Sequence, residues 1–400
     1  MSWPMRPVNE LCELAVDCVN KTAPIVEYET EYKMIRTTNV KNGFIDLDEV
    51  RYVTEEVFQK WTRRSKPQYG DVILTREAPV GEVGRFTSDD DKVFLGQRLF
   101  HYRPNTEKLD WNFLAYVLQS PPVQGRYKGM GFGATVDHVR VGDAERLPIP
   151  CPPLDVQKKI GGILSAYDDL IENNRRRIQL LEQSARLLYK EWFVHLRFPG
   201  HEHVKIKDGV PEGWEKKMLG DLCKEIRESV SPDTLEPDTP YIGLEHIPRR
   251  SISLSEWGTV EQVTSSKHRF RENEILFGKI RPYFHKVGVA FTDGAASSDA
   301  IVIRPLKDVL LPLVLMTVSS DGFVAVTAQA MKEGSKMPRA DWKQMQQYSV
   351  PLPPDSLLKM FNSLIEPIAS QLKVLSFNNR KLTKARDLLL PRLMNGEVSV

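Results

Sequence analysis

Gln97 and Arg98, within Phe94-Leu95-Gly96-Gln97-Arg98-Leu99, interrupt an otherwise apolar strand with the two side chains best shaped for bidentate contact to adenine and guanine. Arg76 follows the first clear strand of the chain, and Lys279 and Arg281 follow its counterpart in the second half. These three suit phosphate contacts, where each cation gains affinity by releasing counterions. Lys128 precedes the loop Gly129-Met130-Gly131-Phe132-Gly133-Ala134, and the corresponding second-half loop carries Lys336 and Arg339. Loops of this kind bring backbone N–H groups and cations close to phosphate. Sheet-edge polar pairs and solvated charges account for the same residues, so the sequence leaves both readings open.

Other patterns point away from chemistry performed by the chain itself. Gly129 to Ala134 matches G-x-G-x-x-A, but it follows Gln124-Gly125-Arg126-Tyr127-Lys128 rather than an apolar strand, which is the wrong context for a dinucleotide fold. His201-x-His203 has no third ligand nearby, and Cys12, Cys18, Cys151 and Cys223 lack metal-finger spacing. No Asn/Asp-Pro-Pro-aromatic methyltransferase motif, phosphate-binding Gly-x-x-x-x-Gly-Lys-Ser/Thr loop or acidic nuclease cluster is present. Arg175-Arg176-Arg177 reads as a solvated or partner-facing patch. The expectation is a non-catalytic chain that binds neither metal nor cofactor.

The elements that must position these residues come in duplicate. Ile149-Pro150-Cys151-Pro152-Pro153 recurs as Val350-Pro351-Leu352-Pro353-Pro354, a shift of 201 in a chain of 400 residues, and Gly133 pairs with Gly334 at the same shift. Each half opens alike, Trp3 through Leu11 against Trp214 through Leu222. Strands are predicted at Asp71 to Thr75, Val80 to Phe86 and Phe94 to Tyr102, and again at Glu274 to Lys279, Lys286 to Phe291 and Ala300 to Arg304. Helices follow at Trp111 to Gln119 and Leu313 to Val326, then a loop leads to each proline cluster. Residues 1–148 and 205–348 therefore read as two α+β globular domains with a shared plan.

Residues 149–204 and 349–400 differ in kind. Ile160, Leu164, Tyr167, Ile171, Asn174, Ile178, Leu181, Ala185, Leu188 and Trp192 alternate by four and three, and Phe361 to Leu393 repeat the rhythm, which is a coiled-coil seam. Two long one-striped helices in one chain are expected to pair with each other, with Asn174 and Asn379 fixing their register. A bend is predicted near Pro367 and a stop near Pro391. Net charge is only +2, from 55 Lys and Arg against 53 Asp and Glu, so bulk charge decides nothing about a polyanionic partner. The longest apolar stretch, Val309 to Val318, contains Pro312 and is far short of a bilayer span; with no secretory signal in Met1 to Arg6, a cytoplasmic protein without membrane contact is expected.

The phrase Leu147 to Ile160, its seam helix, the ending Leu389 to Glu397, the opening Val210-Pro211-Glu212-Gly213-Trp214-Glu215 and Ser297-Ser298-Asp299-Ala300-Ile301-Val302-Ile303-Arg304-Pro305 together resemble the specificity subunits of type I restriction-modification systems. The resemblance implies two target-recognition domains separated by two long antiparallel coiled-coil helices, an internal pseudo-two-fold repeat. It implies that the chain reads a bipartite target on double-stranded DNA and directs partners. Two modification subunits would carry S-adenosylmethionine and methylate adenine, and restriction subunits would use ATP and Mg for translocation and cleavage. A scaffold without its own sequence preference is the alternative. Two departures stand out: Cys151 sits in the first proline cluster, and the second continues Asp355-Ser356-Leu357-Leu358 instead of Leu-Asp-x-Gln.

Overall fold

A computed structural model describes residues 3–130 (side chains to Tyr127), 138–329 and 338–400. They form two units, residues 1–171 with 382–400, and residues 172–381. Each is built on the same sheet. In unit one the strand order is Cys12–Asp17, Leu99–Pro104, Val72–Thr75, Val83–Arg85, Gly43–Ile45 and Val40–Lys41. In unit two it is Cys223–Ile226, Ala300–Pro305, Ile275–Gly278, Val287–Ala290 and Ser253–Leu254. Both sheets are antiparallel except for one parallel pair at the same place, Gly43–Ile45 with Val83–Arg85 and Ser253–Leu254 with Val287–Ala290. Val72-Ile73-Leu74 and Ile275-Leu276-Phe277 are buried throughout, which is why they read as continuous apolar runs rather than alternating ones.

A smaller sheet repeats as well. Arg51–Tyr52, Lys33–Ile35 and Val93–Leu95 correspond to Gly258–Thr259, Pro240–Ile242 and Gly294–Ala296, and unit two extends this sheet with Lys267–Phe270 and Ser229–Val230. The run Phe94 to Tyr102, expected as one strand, is two. Gln97 and Arg98 form a turn, with Arg98 in the left-handed region at φ +69°, and the flanking strands enter different sheets. Gln97 and Arg98 thus occupy a turn between sheets instead of interrupting a strand.

The helices after each sheet also differ from expectation. Leu313 to Val326 is broken into Leu311–Val318 and Asp321–Gln329. Ser319 and Ser320 donate their hydroxyls back to Leu315 and Thr317 carbonyls, both at 2.7 Å, and the Ser320 hydroxyl accepts from Phe323 N at 3.2 Å; such serines compete with the helix ladder and cap the next helix. In unit one Trp111–Gln119 is followed by a second helix, Pro121–Met130, where the loop leading to the proline cluster was expected; Pro121 sits at its first position, which suits proline. The following segments, 131–137 and 330–337, hold the Gly131-Phe132-Gly133 and Gly334 positions and lie outside the described residues.

Both proline clusters have a structural job. Pro148–Pro150 pairs with Met5–Pro7, and Ser349–Leu352 pairs with Glu215–Met218, so each cluster returns to the start of its own half just before a long helix begins. The first helix runs Leu154–Tyr189 and ends in a π-helical turn, Lys190–Val194; the second runs Asp355–Met394. It continues past Pro391, where a stop was expected, and is uninterrupted at Pro367. Each proline lacks the N–H that the carbonyl four residues back would otherwise accept from, that of Asp387 or Ser363, and both of these residues are exposed. In unit two the helices pair antiparallel: Asn174 Nδ2 donates to Asn379 Oδ1 at 2.9 Å, while Trp192 lies 5.6 Å from Phe361.

Each unit also ties the helices to its globular part. Next to the seam position expected at Tyr167 lies Asp168, 2% exposed, whose carboxylate accepts from Arg85 Nη2 at 3.2 Å, Tyr116 OH at 2.5 Å and Arg386 Nη1 at 2.5 Å. In unit two Glu182 Oε1 accepts from Ser251 Oγ at 2.7 Å, from the Ile252 and Ser253 amides at 3.1 and 3.0 Å, and from Ser253 Oγ at 2.7 Å. A heptad reading misses both carboxylates because they face the sheets beside the seam.

The broken Leu-Asp-x-Gln phrase is explained at this joint. Gln157 donates to the carbonyls of Lys108 (3.1 Å) and Pro152 (2.9 Å) and accepts from Asp110 N at 3.0 Å. Its counterpart, Leu358, is apolar and buried. The missing bond reappears one turn later, where Asn362 donates to Val309 O, the equivalent of Lys108 O, at 2.7 Å. Position 362 corresponds to Gly161, where a Cβ would fall 2.7 Å from Asp110 Oδ1. Unit one therefore cannot use the Asn solution, and unit two does not need the Gln.

Candidate nucleic-acid interface

The expected site residues collect where three segments meet at one end of each main sheet. In unit two Lys279 N donates to Asp299 O at 2.7 Å, Ala340 N to Lys279 O at 2.8 Å, and Arg281 N to Pro338 O at 2.9 Å. In unit one Arg76 N donates to Arg98 O at 2.8 Å and Val139 N to Arg76 O at 3.0 Å. Two of these backbone bonds thus recur in both units, Arg76 N to Arg98 O matching Lys279 N to Asp299 O, and Val139 N to Arg76 O matching Ala340 N to Lys279 O. Ala78 (φ +45°) and Arg281 (φ +49°), each preceding a proline, adopt the left-handed conformation at the same position. Strain of this type persists only where the surroundings over-determine it, and it clusters at binding sites.

The frame is shared but its charges are not. Arg76 is buried: its guanidinium pairs with Asp17 and donates Nε–H to Val139 O at 2.9 Å. That overturns its expected role as a phosphate contact, because the cation is already neutralised inside the protein. In the sheet register His101 faces Val16 and Val302 faces Ile226, so the next residues, Asp17 and Arg227, correspond. Unit two therefore places an arginine where unit one places the carboxylate. Lys279 donates to Ser298 O at 3.0 Å and is half-buried; burial lowers its ammonium pKa, with Arg227 and Arg339 adding to the shift against the pull of Glu225 and Asp299.

Arg281 and Arg339 are exposed, and Arg339 Nη2 lies 3.2 Å from Asp299 Oδ1. Unit two thus brings Lys279, Arg281 and Arg339 onto one surface. In unit one Arg98 is an outward cation, 51% exposed and 3.0 Å from Glu77, beside Gln97, which accepts from Thr22 Oγ1 at 3.3 Å. The Lys128 side chain and Lys336 lie outside the described residues. Among those described, no group of three His, Cys, Asp or Glu is placed to hold a metal ion.

A second Arg–carboxylate pair, repeated in both units, supports the frame from within. Arg103 holds Asp71 through Nε at 2.9 Å and Nη2 at 2.8 Å, and Arg304 pairs with Glu274 at the matching place. Burial pushes the Asp71 carboxyl up, but hydrogen bonds from His101 and Arg103 more than offset this and hold it below the usual range.

The family model described as "Type I restriction modification DNA specificity domain" matches residues 2–183 and 211–357, most of the chain and both repeats. The chain belongs to that specificity family. It is 24% identical to the type I restriction enzyme MjaIX specificity subunit of Methanocaldococcus jannaschii, over all of this chain and 94% of that one. It is also 24% identical to the EcoDI specificity subunit of Escherichia coli, over 70% of this chain and 71% of that one. In fold, this specificity-family member resembles the crystal structure of a type I S subunit from M. genitalium, with a TM-score of 0.60, 17% identity, and coverage of 98% and 96% of the two chains. No single helix among its described residues is long and apolar enough to cross a membrane; the most apolar, Leu311–Val318, is buried in unit two.

Proposed function

We propose that this chain is the DNA-reading subunit of a type I restriction-modification complex and is itself non-catalytic. Each unit reads one half-site of a bipartite duplex target, and the long helices, one after each globular part in the chain, act as the spacer. The observation that carries this reading is the duplicated three-segment frame, which shares two backbone bonds between the units and differs in its side chains. Equal frames suit equivalent tasks on the two half-sites; unequal side chains suit two different sequences.

The proposed contacts are Gln97, Arg98 and, by sequence, Lys128 in unit one, with Lys279, Arg281, Arg339 and, by sequence, Lys336 in unit two. In this reading the complex works in the cytoplasm. Two modification subunits bring S-adenosylmethionine and methylate adenine, restriction subunits bring the ATP- and Mg-dependent chemistry, and this chain holds no cofactor. Exposed apolar residues on the helices, Leu180 and Leu187 on the first and Met360 and Leu364 on the second, support docking of such partners. Methylome sequencing of a host with and without the chain should show adenine methylation at a split motif that disappears with it. An unchanged pattern in cells with active modification subunits would overturn the reading.

A narrower result follows for the phosphate-facing cations. Lys279→Ala combined with Arg281→Ala should weaken binding by the assembled complex across all sequences. It should also flatten the salt dependence by about one unit of log–log slope for each phosphate no longer neutralised. A loss confined to one base position would reassign these residues to base reading.

A further inference from the structure

The loop that follows the central strand differs between the units in one respect the repeat does not explain. In unit one Thr75 and Val83 are joined through Ala78-Pro79-Val80-Gly81; in unit two Gly278 and Val287 are joined through Arg281-Pro282-Tyr283-Phe284-His285, a connection one residue longer. The longer connection carries two aromatic rings. Tyr283 is 53% exposed, and its ring meets Phe284 edge-on at 5.0 Å. Two guanidiniums lie against Phe284, Arg249 at 4.1 Å and Arg281 at 5.8 Å from its centroid.

The loop is held rigidly. Pro282–Phe284 form a single 3-10 turn, and the residues on both sides, Arg281 and His285, are left-handed at φ +49° and +53°. Arg281 N is fixed to Pro338 O at 2.9 Å, His285 Nε2 lies 2.8 Å from Ser319 O, and Arg250 N donates to His285 O at 2.9 Å. An outward aromatic on a strained, over-determined turn, next to a ring that carries two guanidiniums, matches the physical demands of a wedge for duplex DNA. The ring partly unstacks a base step, and the cations hold the backbone that the distortion displaces.

We propose that Tyr283 is such a wedge: it inserts against a base step of the half-site read by unit two, while Arg249 and Arg281 take the flanking phosphates. The proposal rests on the DNA-reading assignment above. It makes the two half-sites mechanically unequal, because the unit-one loop offers only Ala78, Pro79, Val80 and Gly81 at this place. The half-site read by unit two should therefore contain an easily unstacked pyrimidine–purine step.

The test uses the full chain assembled with its modification subunits and a cognate duplex carrying 2-aminopurine at successive positions of each half-site. Apart from the adenines to be methylated, which a modification subunit takes out of the stack in either half-site, binding should raise the fluorescence at one step of the second half-site and at none of the first. Tyr283→Ala should abolish that rise and weaken binding roughly 5- to 100-fold, the scale of one base–aromatic stack. Tyr283→Phe should retain both. Because Tyr283 is exposed, unchanged thermal unfolding of the variants separates a missing stack from a damaged fold. A flat signal across the second half-site, or Tyr283→Ala binding within twofold of the parent, overturns the wedge and leaves sequence reading intact. Failure of the parent complex to prefer its cognate duplex over a scrambled one overturns both.

Discussion

Asp168→Ala should lower the unfolding temperature of unit one by roughly 6–20 °C. The carboxylate is 2% exposed and accepts from Arg85, Tyr116 and Arg386. Its removal leaves the guanidinium of Arg85, itself buried, without its counter-charge, and Arg386 with Asp387 alone. Breaking a buried pair from one side costs about 3–5 kcal/mol, and in a unit of this size each kcal/mol moves the midpoint by about 2–4 °C. Asp168→Asn keeps the shape and an acceptor for Tyr116, so its effect should be smaller. Hydrogen exchange checks where the damage falls: amides of Val72–Thr75 and Val83–Arg85 should exchange faster while those of Ile275–Gly278 hold. Uniform acceleration in both units, or an unchanged midpoint, would show that the network contributes little.

Exchanging residues 1–148 for the same part of another specificity subunit should rewrite one half-site and leave the other alone. Mismatched base pairs cost about 1–3 kcal/mol each, so affinity for the original target should fall on the order of 100-fold or more once two or three positions are wrong. The structure adds a condition. The exchanged segment contains Arg85 and Tyr116, and it packs on Ile160, Leu164, Leu393 and Met394, which stay behind. Donors with an arginine at the position of Arg85 should give stable hybrids; donors with an apolar residue there should reproduce the Asp168→Ala instability. Methylome sequencing of the hybrid reads the outcome. A motif changed in both halves, or in neither, would sink the one-unit, one-half-site assignment.

What the sequence revealed and what it hid follow from how each interaction is encoded. Apolar periodicity and the proline clusters are local and repeated, so the long helices, the central strands Val72–Thr75 and Ile275–Gly278, and the duplication were all readable. Arg76 and Lys279 were readable as equivalent positions but not as opposites. Arg76 is neutralised by Asp17 from a strand 59 positions away, and only the sheet register brings them together. The same holds for Asp168: a carboxylate one residue off a heptad seam looks solvated until Arg85 and Tyr116 arrive from the sheet side. Pro391 misled because an interior proline was weighed by its missing N–H, whereas the helix bonds resume beyond it, with Asn395 N donating to Pro391 O at 3.1 Å. The Pro282-Tyr283-Phe284 turn was legible in principle, since an aromatic pair directly follows the cations.

The split of unit one between residues 1–171 and 382–400 also fixes an order of birth. Leu389, Leu390, Leu393 and Met394 share a core with Ile160 and Leu164, yet they leave the ribosome only after the whole of unit two. At about 5–20 residues per second, the 210 residues from 172 to 381 take roughly 10–40 s to make. For that interval the first-made unit waits with an open apolar seam while the later one can finish. The nascent chain therefore matures from its middle outward, and the half that reads DNA first in sequence is the last to become whole.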